Sequence, residues 1–132
     1  MKFTVRKLAW AQRIAALAIV VFWISFWTDH HQLPAGVVDF EWCFLLPDIL
    51  WIGGAFWAAS HWLIKRDPRA AMATAVAGSA MVYLGLLDIV CNFRHAQYTE
   101  SFSRGALNAI ANAACLLFGG ANIWYATTRR PT

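Results

Sequence analysis

Glu41 and Asp48 stand seven residues apart, Asp88 and Asn92 four apart, and Asn108, Asn112 and Cys115 follow one another at four and three. Each spacing returns to the same side of an α-helix, so each set reads as one polar stripe. Carboxylates bind cations, share protons, and serve as acid and base. Amides orient a ligand by donating and accepting at once. Glu41, Asp48, Asp88, Asn92, Asn108 and Asn112 together form a candidate site for a cation or a small polar ligand. Carboxylates in an apolar surround also suit proton transfer on a lipid substrate.

The surround is apolar because these stripes lie inside long hydrophobic stretches. Residues 8–28, 40–64, 70–93 and 103–128 form four windows that meet the need for about 20 mostly apolar residues to cross a bilayer. Hydrophobic residues make up 60% of the chain and charged residues 14%, with a mean hydropathy of +0.49. A soluble domain would carry roughly a quarter charged residues. Backbone groups in lipid must be satisfied within the segment, and no alternating strand pattern suggests a barrel. The expected fold is therefore all-α, a polytopic membrane protein forming a single membrane domain over residues 1–132. Short connections predict a four-transmembrane-helix up-down-up-down bundle. Basic residues before the first window resemble a leader, but the run is long and holds Trp23, Phe26 and Trp27. We expect it to be retained as a span.

The basic residues set the expected orientation. Lys2, Arg6, Lys7, Arg13, Lys65, Arg66, Arg69, Arg129 and Arg130 fall on one side of the alternating spans, and only Arg94 and Arg104 on the other. The positive-inside rule then places both termini in the cytoplasm, in a bacterial cytoplasmic (inner) membrane. The net charge of +4 reflects this topology and not a nucleic-acid partner, since no folded aqueous face exists to carry a basic patch. Trp10, Trp62 and Trp124 suit the inner interface and Trp27 and Trp42 the outer one. Trp51 and Trp57 lie too deep for a belt and are read as packing residues or pocket walls. Small residues at Ala71, Ala75 and Ser79, with Gly78 beside them, Gly53 and Gly54, and Gly119 and Gly120, mark where helices should meet. The same faces would serve a homodimer or a partner membrane subunit.

Antiparallel neighbours allow depths to be matched across each turn. About Asp67 and Pro68, Asp48 comes level with Asp88 and Cys43 with Cys91. Across the third loop, Asp88 and Asn92 come level with Asn108 and Asn112. All six candidates then lie in the outer half, with Glu41 at the mouth. Pro47 should kink the second helix beside Asp48 and free a carbonyl near Cys43. An Asp near the bilayer centre costs about 2.5–3.5 kcal/mol on insertion scales, so two at one level need relief. A bound cation, a shared proton, or Arg94 or Arg104 reaching inward would supply it. Against this stands the plainer reading, in which the acids and amides only hold helices together.

Other chemistries find less footing. His30, His31 and His95 read as solvated loop residues with no metal-ligand spacing, so no metal site is assigned. His61 belongs near the inner interface. Haem would need two His deep in facing helices, and no cofactor is assigned. Cys43 and Cys91 share a depth that would allow a disulfide, while Cys115 reads as a packing residue. No phosphate loop, serine nucleophile or zinc-protease motif is present. The leading expectation is an outward-facing acidic pocket for a cation or small polar ligand, in a transport- or channel-related protein. The alternatives are a membrane enzyme using a carboxylate pair on a lipid, or an accessory subunit of a larger membrane complex.

Overall fold

The computed structural model describes residues 2–128, with side chains from residue 5, and among these the chain folds into helices without strands. Helix α1 spans Lys2–Asp29 and ends in a single 3-10 turn, His30–Gln32. Helix α2 covers Ala35–Trp42, a π-helical segment covers Pro47–Gly53, and α3 covers Gly54–Lys65. Helices α4, Arg69–Arg94, and α5, Phe102–Thr128, complete the chain. Among the described residues, three helical stretches are long and apolar enough to cross a membrane: α1 with its turn, α4 and α5. The pair α2 plus Pro47–Lys65 makes a fourth if its two limbs, bent by 47°, count as one span. The basic residues Arg129 and Arg130, and the Lys2 side chain, lie outside the described residues.

The second hydrophobic window departs from the continuous helix expected over residues 40–64. It starts earlier, because Pro34 takes an extended conformation and its carbonyl accepts the N–H groups of Val37 and Val38 at 2.9 and 3.1 Å. A proline is well placed at a helix start, where its missing N–H is no loss. The helix then breaks between Trp42 and Pro47. Pro47 has no N–H to give, and beyond it the ladder slips by one residue, so that the Gly54 N–H reaches the Ile49 carbonyl. The slip turns Asp48, Ile52, Gly53 and Phe56 inward as one buried stripe.

Ala16, Ile19, Trp23 and Phe26 of α1 pack with Ile52, Phe56, Ala77 and Met81 to form the main core. Ala9, Leu63 and Ala70 form a smaller cluster toward the end where the α3–α4 turn lies. Large apolar side chains cover the outside, among them Ile14, Val21, Ile24, Val90 and Leu117. That inversion of the soluble pattern suits a surface solvated by lipid chains.

Helices α4 and α5 make the closest approach. A Cβ on Gly78 would sit 2.7 Å from the Gly119 carbonyl oxygen, and one on Gly119 would sit 2.7 Å from that of Gly78. Gly85 likewise faces Cys115. Only glycine lets two helix backbones meet at this range. The expected contact stripe is corrected here: Ser79 is exposed and Ala75 half-buried, while Ala73, Ala77, Gly78 and Gly85 are buried. The face is rotated toward the glycines, which permit the tighter crossing.

The α3–α4 turn is closed by Arg66 in the left-handed region, φ 55°. Asp67 then accepts the Arg69 backbone N–H and two bonds from its guanidinium, at 2.9, 2.9 and 2.8 Å. Those bonds hold the Asp67 carboxyl down at about 2, below the usual carboxylate range.

Candidate functional site

Asp48 is the most enclosed of the six candidates, with 3% of its surface exposed. The first turn of the π-helical segment carries it, and the slipped ladder points it toward α1. There the indole N–H of Trp23 donates to Oδ2 at 3.1 Å. The other carboxylate oxygen, Oδ1, is buried and has no hydrogen-bond partner. Trp23 is held in place by rings: Phe22 and Phe26 meet it edge-on at 5.5 and 5.3 Å, and Trp42 lies at 6.0 Å. Such packing fixes the donor and leaves the indole one direction to point.

Beside Asp48 a cavity of about 550 Å³ opens between the broken span and α4. Phe44, Pro47, Trp51 and Tyr83 line it together with Ser79 and aliphatic residues of α4. Trp51, Val76 and Tyr83 are 63%, 40% and 63% exposed, so the cavity opens sideways onto the surface where lipid chains would lie. Trp51 is thus a pocket wall. Trp57 has the same role in a second groove of about 530 Å³ between α1 and α3, where His61 also lies.

The remaining candidates distribute unevenly. Glu41 and Asp88 are half-buried, and the charges of Glu41, Asp48 and Asp88 lie within electrostatic reach of one another. None of the three is joined to another by a hydrogen bond among the described residues. Asn112 is buried and donates to the Tyr98 hydroxyl at 2.6 Å, tying α5 to the loop before it. Asn92 and Asn108 are half-buried. The Asn92 backbone carbonyl accepts the Gln97 N–H at 2.9 Å, helping to close the end of α4. Of the six, only Asp48 lines the cavity.

Arg104, in the first turn of α5, pairs at 2.8 Å with Glu100 in the loop before it and so is engaged outside the acidic group. Cys43, Cys91 and Cys115 are free thiols, and the exposed Cys43 donates to the Asp39 carbonyl at 3.3 Å. Among the described residues, no three His, Cys, Asp or Glu side chains come together to hold a metal ion.

Two polar features escaped the sequence reading. The first is the Trp23 N–H: an indole N–H deep in a span needs an acceptor and so points to one. The second is a fully buried network across three helices. Gln12 Nε2 donates to Thr74 Oγ1 at 3.2 Å and to Asn122 Oδ1 at 2.8 Å. Asn122 in turn donates to the Phe118 carbonyl at 2.8 Å. The signal for it in the sequence is an uncharged amide inside an apolar run. Comparison with known protein families, curated proteins and solved structures found no match.

Proposed function

We propose that this chain is a multi-pass protein of a bacterial cytoplasmic membrane that binds a cation or small polar ligand at Asp48, in a transport- or channel-related role. The observation that carries the reading is a buried carboxylate that lines an open cavity and keeps one oxygen without a partner among the described residues. Leaving such a group unpaired costs about 1–3 kcal/mol, and more when it is charged. An Asn would accept from Trp23 equally well at lower cost in a membrane, so helix adhesion does not account for an acid here. Glu41 and Asp88 place two further carboxyl groups within electrostatic reach of the site.

The spans are read as an up-down-up-down bundle, with the broken pair as the second. Contacts support antiparallel neighbours: Arg13 with Ser60 and Trp23 with Asp48 for the first two spans, Gly78 with Gly119 and Gly85 with Cys115 for the last two. The nine-to-two split of basic residues supports cytoplasmic termini. In a background without the native cysteines, a thiol probe applied outside the cell should label cysteines placed at Gln32 and Thr99 and spare one at Pro68. The opposite pattern would invert the bundle.

The ligand reading is tested by thermal unfolding of the purified protein against inorganic cations, organic ammonium compounds and amino acids. At least one should stabilise the wild type and lose its effect in Asp48→Asn. If every compound acts alike on both proteins, the site does not bind.

A further inference from the structure

Building on the reading of Asp48 as a ligand site, we propose that its cavity takes a lipophilic monocation, an aromatic or alkyl ammonium, entering sideways from the bilayer. The chemistry of the wall argues for this class. One acceptor of this wall residue, the buried Asp48 Oδ1, has no partner among the described residues, since Trp23 holds Oδ2. That matches a single cationic head. Bare Ca²⁺ takes six to eight oxygen ligands, and small ions generally need their hydration shell replaced. Around this cavity, among the described residues, the side-chain oxygens come from Asp48, Ser79 and Tyr83. A zwitterion would also need a partner for its anionic end, and among the described residues no basic side chain lines the space.

The rest of the wall is apolar and aromatic, with Phe44, Trp51 and Tyr83 contributing rings and α4 contributing aliphatic groups. Rings of this kind attract ammonium groups through their π-faces, most strongly where water is excluded. A volume of about 550 Å³ holds a molecule much larger than an inorganic ion. Charge and size thus select in the same direction: one positive head against Asp48, one apolar body toward the mouth at Trp51 and Tyr83. The sideways opening means that a ligand already partitioned into the membrane need not cross water to arrive.

The test is calorimetric titration of the protein in zwitterionic lipid nanodiscs with phenylpropylammonium, corrected by empty nanodiscs. Phenylpropanol, Na⁺, K⁺, Ca²⁺ and alanine serve as comparison probes. The wild type should bind the ammonium saturably, and Asp48→Asn should weaken it at least about thirtyfold, the loss expected when one partner of a buried charge pair is removed. That variant keeps an acceptor for Trp23, and its helicity and elution should match the wild type. Should it misfold, Val76→Trp provides a second route, because this exposed residue lines the cavity and a larger ring there should block it. Ammonium binding unaffected by either folded variant would overturn the proposal. If an inorganic cation or alanine binds in an Asp48-dependent way while the ammonium does not, the ligand class is wrong but the site stands. If no probe binds in that way, both fall.

Discussion

Asp48 and Gln12 solve the same problem differently. Both are buried polar side chains in an apolar bundle, and each keeps one oxygen without a partner, Asp48 Oδ1 and Gln12 Oε1. Gln12 is a neutral amide whose nitrogen bonds Thr74 and Asn122, stitching α1 to α4 and α5 where helices pack closely. No described cavity includes it. Asp48 carries a potential charge, makes one side-chain bond, and is a buried residue in the wall of a cavity. Amides tie helices together at modest cost, while a carboxylate half-satisfied beside a cavity is arranged for something that is to be bound. Polarity at depth therefore separates into glue and site by charge and by neighbouring space, not by burial alone.

The strongest way to break that contrast is to force the glue apart. A Cβ on Gly78 would lie 2.9 Å from the Asn122 Cβ as well as against the Gly119 carbonyl. Gly78→Leu should part α4 from α5 and pull Asn122 from Gln12, at a cost on the order of 3 kcal/mol. Chemical unfolding in detergent measures it. An unchanged midpoint would mean that the close crossing does not hold the bundle.

Next comes the single bond at the site. Trp23→Phe leaves both Asp48 oxygens unpartnered and should destabilise the protein by about 2 kcal/mol. Combining it with Asp48→Leu removes both partners, and most of the loss should then disappear. If the double variant is no better than Trp23→Phe, the indole acts through ring packing and not through its N–H.

A smaller effect is expected in the amide network. Gln12→Leu should cost about 1 kcal/mol, the usual scale of interhelical hydrogen bonds in membranes. Ligand binding at Asp48 should be unchanged, since Gln12 lines neither cavity. Loss of binding in a stably folded Gln12→Leu protein would merge the two regions into one functional unit.

Apolar length made the membrane class legible, and Pro47 announced a disturbance next to Asp48. Its form was not legible. A proline tells that a hydrogen bond is missing but not whether the ladder recovers by a kink or slips into a π turn, and that choice decides which way Asp48 faces. Matching depths across turns placed Asp48 and Asp88 at one level, yet depth leaves rotation about each helix axis free. For that reason small-residue spacing marks Ala75 and Ser79 on α4, while the glycines that meet α5 lie on an adjacent face. Trp23 and Tyr98 went unassigned because their polar atoms sit at the tips of largely apolar side chains, and residue type alone does not say when a tip is needed.

The exposed turn offers the third case of a carboxylate and sharpens the contrast most gently. Asp67 has its cation beside it in Arg69, but in water, where such pairs contribute little. Its pKa, depressed to about 2 from 3.8, means that the folded state holds this proton more weakly than the unfolded chain. The contribution is therefore fully present above about pH 4 and is lost as pH falls through about 2. Arg69→Gln removes the guanidinium bonds and also the contact of that group with the Trp62 ring, 4.7 Å from its centroid. The ring contact is lost at every pH, whereas the Asp67 pairing is lost only where the carboxylate is ionised. The stability gap between wild type and Arg69→Gln should stay constant from neutral pH to about 4, then narrow toward pH 2 without closing fully. Unfolding midpoints across that range decide it. A gap that is flat throughout would assign the whole effect of Arg69 to Trp62, and a gap that widens in acid would reverse the sign of the pairing.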